Sequence, residues 1–356
     1  MTLDIIRHRL HNQYLSQTKC TQPSEVVEWL GAVQSQDYAG AKWALGQRLE
    51  NATDGGIEKA FNEGAILRTH VMRPTWHFVT PADIRWMLAL TAPRVLALLA
   101  YTDRQLGLDK AVFKQSNRVL TKALKGGKQL MRTELEAILQ KNGVNTEGLR
   151  FIHLLMHAEL DGVVCSGGRQ GKQFTYALLE ERAPQAKTLE REAALAELTR
   201  RYFRSHAPAT LQDFVWWSGL TMADARKGME IVKSEFKQEI VGDQTYWFQA
   251  SAPAKNPSPT AHLLPNYDEY IVGYTDRSAI FDMTHTEKLD ARGNVLFQNT
   301  VAIDGQIAGT WKRTLKKGEV IVEFSPFAPL KKSENQAVRA AAQQYGRFLE
   351  LPVVLA

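Results

Sequence analysis

The chain has 356 residues, 44% of them hydrophobic and 23% charged, with a formal net charge of +6. That length exceeds one ordinary core and predicts roughly two to four modules, and the composition excludes a disordered chain. Its two cysteines, Cys20 and Cys165, lie far apart and form no metal-ligand spacing, which excludes a disulfide framework and a thiolate zinc or iron–sulfur site.

No apolar run reaches the length of a bilayer span, and the stretch from Met1 to Leu10 mixes acid, base and apolar residues without a signal-peptide core. A cytoplasmic protein without a membrane partner is expected. Residues 3–16 place Leu3, Ile6, Leu10 and Tyr14 at helical spacing. Thr21 reads as a helix cap with Pro23 in the first turn, and Val26, Val27, Trp29, Leu30 and Val33 supply the apolar side. Two glutamines, Gln34 and Gln36, then precede a Gly/Ala-rich segment. A short helix is predicted from Ile57 to Phe61, ending at Gly64. Residues 66–72 and 75–79 read as two strands joined at Arg73-Pro74. Helices followed by a β-hairpin is the element order of a winged helix-turn-helix.

That order recurs. Helical patterns cover 110–125, a segment capped by Thr133, and Thr146 through Leu160, before strands at 163–165 and 174–178 around a glycine-rich tip. Further helices are predicted at 188–205, 210–218 and 221–234, then a strand pair over 237–249 turning at Asp243-Gln244. Three tandem winged helices are therefore expected, over 1–90, 91–185 and 186–250. Residues 251–261, rich in Pro, Ser and Ala, read as a linker. Beyond it the period changes to two, with strands at 294–302, 306–314 and 319–324 and a closing helix at 332–349. The expected fold class is α+β, with a β-rich C-terminal domain over 262–356.

Gln34 and Gln36 cannot share a face in a helix, where two residues turn the chain about 200°. In an extended or turn conformation side chains i and i+2 point the same way. Taken alone, such a pair is an ordinary couple of loop amides. From Lys110 to Arg132 there are seven basic residues and no acidic one. Lys110, Lys114, Arg118, Lys122 and Lys125 fall on one helical face, where like charges repel by roughly a few tenths of a kcal/mol per pair. A polyanion would offset that cost through counterion release; a solvated surface helix is the bland alternative. In Ser166-Gly167-Gly168-Arg169-Gln170-Gly171-Lys172, glycines would let backbone approach phosphate, with Arg169 and Lys172 to pair with it; a plain flexible turn accounts for it equally.

His153 and His157 are four apart but lack the glutamate of a zinc protease, so a packed or surface role is expected and no metal or cofactor is assigned. Of Trp216-Trp217, at least one indole should be core. Arg73 and His77 flank a turn able to approach the glutamines, although a structural histidine is the simpler reading. Asp268, with Glu269, Asp276 and Arg277, either caps turns or shapes a site near the linker.

Val33-Gln34-Ser35-Gln36, Arg73-Pro74-Thr75-Trp76-His77, the run from Leu263 to Asp268, the run from Gly273 to Arg277, Asp304-Gly305 and Gly309-Thr310-Trp311 occur in order along the chain. Together they resemble the winged-helix DNA glycosylases, the family of the azinomycin-resistance glycosylase and bacterial interstrand-crosslink glycosylases. The resemblance implies a monofunctional, cofactor-free and monomeric enzyme that hydrolyses the N-glycosidic bond of N7-alkylated purines in duplex DNA. In some members crosslinks are also unhooked. It also implies a place in the cytoplasm at the nucleoid. The family's paired motif residues fall on Gln34 and Gln36, and glutamine rather than aspartate at the second position resembles the resistance-type branch. Arg73, His77, the stripe from Lys110 to Lys125, Arg169, Lys172 and Asp268 are the expected DNA or substrate contacts. The competing expectation is a winged-helix DNA-binding protein that does no chemistry.

Overall fold

The structure, a computed structural model, describes residues 3–249, 258–289 and 294–356. It is mixed α/β and divides into two compact units. The first comprises Met1–Glu58, Thr199–Trp217 and Thr221–Ala356; the second comprises Lys59–Leu198 and Ser218–Leu220.

In the first unit the helix Ile5–Asn12 is capped by Asp4, whose carboxylate accepts the Arg7 N–H at 3.1 Å. It is shorter than its apolar pattern, because Tyr14 turns the chain at φ 57°. The next helix, Pro23–Leu30, is capped by Gln22 rather than Thr21. The Glu25 carboxylate takes the N–H groups of both residues, at 2.8 and 2.9 Å, so the two share the entry turn. The Gly/Ala-rich stretch after the glutamines is a helix, Tyr38–Gly46. Small residues make it so by letting it pack closely: a Cβ at Gly46 would lie 2.6 Å from the Phe348 ring.

The C-terminal part of this unit is a five-stranded sheet, ordered Val353–Leu355, Glu319–Pro326, Gln306–Lys316, Thr300–Ile303, Ala261–Leu264. All neighbours are antiparallel except the parallel pair Val353–Leu355 with Glu319–Pro326. The helix Lys332–Leu349 matches its predicted span. The strand expected over 294–302 forms only from Thr300, because the Asn294 side chain accepts the Leu296 N–H at 3.0 Å and closes a 3-10 turn over Val295–Phe297. The expected linker lies partly outside the described residues, at 251–257, and its last residue, Ala261, already starts a strand. Leu10, Leu15, Leu264, Tyr270, Ile271, Val295, Leu296 and Ile307 form a shared core. The segment before the sheet carries helices Leu211–Ser218 and Met222–Val232 and the hairpin Lys237–Val241 with Gln244–Phe248.

The second unit holds the hairpin Leu67–His70 with Trp76–Val79, in register Leu67↔Val79 to His70↔Trp76. A second hairpin pairs Val164–Gln170 with Gln173–Leu178, and Leu130–Met131 adds to its outer strand. Helices Lys110–Leu124, Arg132–Lys141 and Arg150–Leu160 enclose a core of Leu120, Leu124, Leu135, Leu139, Phe151 and Leu154. Neither Thr133 nor Thr146 is a cap. The Glu134 carboxylate takes the Met131 N–H at 2.7 Å, and the helix is capped two residues earlier, at Met131, while the Thr146 hydroxyl accepts from Gln140 at 2.8 Å.

The longest element, the helix Ile84–Gln105, has no counterpart in the sequence reading. By length and composition alone it is apolar enough to cross a membrane. Within its unit, however, Trp86, Met87, Leu90 and Val95 are buried, Asp103 is paired with histidines, and Arg94 and Arg104 face solvent. These are the features of a core helix.

Candidate active site

Gln34 ends a two-residue strand, Val33–Gln34, that begins immediately after a helix closed by Gly31 at φ +84°. Only glycine adopts that backbone easily, and a Cβ there would also stand 3.2 Å from the Trp217 ring. The chain then bends, and Asp37 starts the next helix by accepting the Gly40 N–H at 3.1 Å. The segment between two helices is thus non-helical, as the glutamine pairing requires. Gln34 is 7% exposed and Ser35 fully buried, whereas Gln36 is exposed.

The backbone N–H of Gln34 donates to Oε1 of Glu269 at 3.1 Å. Glu269 is 1% exposed, and its other oxygen takes the Trp217 indole N–H at 2.8 Å and lies 3.2 Å from His206 Nε2. Next to it, Asp268 is bound in bidentate fashion by Arg48, at 2.7 and 3.0 Å. Arg48 also donates to the Gln13 side chain and backbone oxygens. Gln13 in turn donates to the Tyr274 hydroxyl at 2.9 Å, and Arg9 stacks over the Tyr274 ring at 3.5 Å. Arg48, Gln13, Asp268 and Glu269 thus answer one another and their neighbours, which is the condition under which buried polar groups are tolerated.

The C-terminal motif residues build this wall. The carbonyls of Leu263 and Leu264 accept the indole N–H groups of Trp43 and Trp311, at 2.6 and 2.8 Å. Gly273 is needed because a Cβ there would meet both the Glu269 carbonyl and the His206 ring at 2.6 Å. The Tyr270 hydroxyl donates to the Gly305 carbonyl at 2.9 Å. On the other flank Lys42, 5% exposed, is held between Asp54 at 2.7 Å and Glu58 at 2.9 Å.

The remaining expected contacts fall differently. Asp268 is 0% exposed, and its carboxylate is taken up by Arg48 and by the Tyr270 N–H at 2.9 Å. It supports the site from within and is not a DNA-facing group. In the second unit His77 is also fully buried; its Nδ1–H donates to the Thr75 carbonyl at 2.9 Å and its Nε2 accepts from Arg73 at 3.4 Å. Burial, with the Arg73 charge beside it, holds its imidazole well below the usual range and keeps it neutral. This is the structural histidine of the simpler reading, and no atom of it is open to DNA.

Lys110, Lys114, Arg118, Lys122 and Lys125 are all exposed, while Ser116, Leu120 and Leu124 of the same helix are buried. Arg118, Lys122 and Lys128 line a groove of about 810 Å³ with Gln115 and Asn142, and no acidic side chain lines it. Gly167 and Gly168 are not at a hairpin tip but at an irregularity within the strand Val164–Gln170. A Cβ at Gly167 would lie 2.4 Å from the Thr175 hydroxyl, and the Gly168 N–H donates to Gln129 at 2.6 Å, so these glycines answer packing. The tip itself is Gly171 with exposed Lys172; the half-buried Arg169 donates to the Lys172 carbonyl at 2.8 Å.

His153 and His157 both hold Asp103, at 2.6 and 2.9 Å. Among the described residues no group of three or more His, Cys, Asp or Glu side chains converges as a metal site. Trp217 is core, and the Trp216 indole donates to the Val272 carbonyl at 2.9 Å. The sequence reading missed Arg48, Gln13, His206 and the specific role of Glu269. Only Glu269 carried a signal, an acid placed in an apolar run beside Asp268.

Residues 27–348 match the family model of AlkZ-like DNA glycosylases. The interstrand DNA cross-link repair glycosylase of Streptomyces sahachiroi is 23% identical over 353 residues, covering 94% of each chain. The solved structure of the S. sahachiroi DNA glycosylase AlkZ superposes with a TM-score of 0.80 at 20% identity, over 99% of this chain and 98% of that one. The chain therefore belongs to the AlkZ-like DNA glycosylase family, repair hydrolases that cleave the N-glycosyl bond between base and sugar.

Proposed function

We propose that this glycosylase acts on N7-alkylated purines in duplex DNA and that Gln34 and Gln36 are its catalytic residues. The observation that carries the reading is the position of Gln34: its main chain is tied at 3.1 Å into a buried polar wall, two residues before an exposed glutamine. An N7-alkylated guanine already carries positive charge. When water attacks C1′ and the C1′–N9 bond breaks, the bonding pair moves into the ring and the base leaves neutral, while the water proton passes to solvent. A strong acid for the leaving group is unnecessary. What the protein must supply is a placed water and a dipole opposed to the oxocarbenium-like charge, which an amide oxygen provides. Glutamine does not titrate and is a poor general base, so unactivated purines should react slowly.

DNA is engaged, in this reading, by the exposed stripe from Lys110 to Lys125 and by Lys172, with Arg73 and Arg169 nearer the protein surface. The helix-and-hairpin successions over 1–90, 91–185 and 186–250 are read as three winged helices that present these groups, ahead of the C-terminal β-rich domain, in a monomer acting at the nucleoid. The S. sahachiroi relative is named for interstrand cross-link repair. Bulky or crosslinked N7 adducts belong to the proposed substrate range for that reason.

The test is base release from duplex DNA carrying N7-methylguanine, a bulky N7 adduct, or no lesion. The reading expects free base from both adducts and little from intact purines. DNA binding without release, or comparable release of undamaged adenine or guanine, would contradict it.

A further inference from the structure

We propose that Glu269 is a positioning residue for base release: through its carboxylate it sets the main chain of Gln34, and with it the aim of the motif. This deepens the reading above and rests on it. Both carboxylate oxygens are committed. Oε1 takes the Gln34 N–H at 3.1 Å; Oε2 takes the Trp217 indole N–H at 2.8 Å and faces His206 Nε2 at 3.2 Å. His206 is itself oriented from its far side. The Ser205 hydroxyl lies 2.8 Å from His206 Nδ1. The plane of the carboxylate is therefore fixed by contacts on two sides, and the Gln34 N–H meets an acceptor that cannot swing away.

The carboxylate is carried on the short helix Glu269–Val272, which Asp268 caps while bound to Arg48. Glu269 thus links a rigid internal ion pair to the residue that must hold a water. A charge-assisted bond to backbone positions more firmly than a neutral one. A displacement near 1 Å of a water-orienting group costs about 100-fold in rate.

The chemistry of the acceptor gives a test that packing alone would not pass. In Glu269→Gln the side chain keeps its shape but has one oxygen. If that oxygen serves Gln34, the new NH2 opposes the Trp217 N–H, donor against donor. Removing the indole donor relieves that conflict. Single-turnover release of N7-methylguanine, duplex affinity, melting temperature and exchange of the Gln34 amide proton would be measured in wild type, Glu269→Ala, Glu269→Gln, Trp217→Phe and the Glu269→Gln/Trp217→Phe pair. Gln34→Ala serves as the reference.

The proposal expects Glu269→Ala to lose about 100-fold in rate, with duplex affinity retained and the Gln34 amide exchanging faster. It also expects Glu269→Gln to cost clearly less in the Trp217→Phe background than in wild type. Equal cost in both backgrounds, unchanged amide exchange, or a loss of affinity and stability that tracks the loss of rate would overturn it. Full activity of Glu269→Ala beside an inactive Gln34→Ala would overturn this proposal while the functional reading stands. Wild-type protein that releases no base would overturn both.

Discussion

The surroundings of Gln34 and the helix Lys110–Leu124 solve opposite problems with polar groups. Around Gln34 the charged residues are inside: Arg9, Arg48, Asp268 and Glu269 are each no more than 1% exposed, and every one has a directional partner. Along Lys110–Leu124 the charges face solvent, and the buried side carries only Ser116, Leu120 and Leu124. The first arrangement is costly in desolvation and defines geometry; the second leaves its charges hydrated and defines a field. The difference teaches what each region is suited to. Chemistry that depends on placing one water needs the first, and attraction of a polyanion of variable sequence needs only the second.

Breaking the internal pair gives the largest expected effect. Arg48→Ala leaves Asp268 buried without its guanidinium, and a loss of about 3–5 kcal/mol is expected. Urea unfolding would read it as a lower midpoint. A loss under about 1 kcal/mol, the range of exposed ion pairs, would show that the wall is not the rigid element described. Removing charge from the exposed stripe should act on binding and spare the fold. For Lys114→Ala/Arg118→Ala/Lys122→Ala, the slope of log affinity against log salt should shrink by about 0.9 for each phosphate that is no longer neutralised. The melting temperature should hold or rise slightly, because like charges four residues apart are relieved. A fallen melting temperature with an unchanged salt slope would reverse the contrast between the two regions.

The smallest effect is that of pH on His77. The folded protein keeps this imidazole neutral, whereas the unfolded chain takes up a proton near pH 6.5. The unfolded state then binds more protons, so stability is full above that pH and falls as pH drops toward the depressed folded value, by about 1.4 kcal/mol per unit from this group. His77→Gln should flatten that part of the acid limb in urea titrations between pH 7 and 5; an unaltered limb would show that His77 does not contribute to it.

How much of this was legible in the sequence follows the range of the forces involved. The helices Lys110–Leu124 and Lys332–Leu349 could be read because helical periodicity is local, as is the basic stripe along the first. The helix Tyr38–Gly46 was obscured because its small residues exist for a neighbour far along the chain, Phe348. His153 and His157 suggested only a packed or surface role, since their partner Asp103 lies on a helix that the pattern did not announce. Gln34 and Gln36 were recognisable as a motif through later motifs in order. The wall behind them was not, because Gln13 and Glu269 are 256 residues apart and meet only in the fold. Asp268 looked like either a turn cap or a site residue. It caps a helix and anchors Arg48, and both duties place it inside.

The central claim is tested most directly by single-turnover release of N7-methylguanine from duplex DNA by wild type, Gln34→Ala and Gln36→Ala, with duplex affinity measured in parallel. The account predicts that each substitution lowers the rate by about 100- to 1,000-fold, as loss of one fixed charge-stabilising group does elsewhere, with affinity nearly unchanged. Wild-type rates in both variants would contradict it.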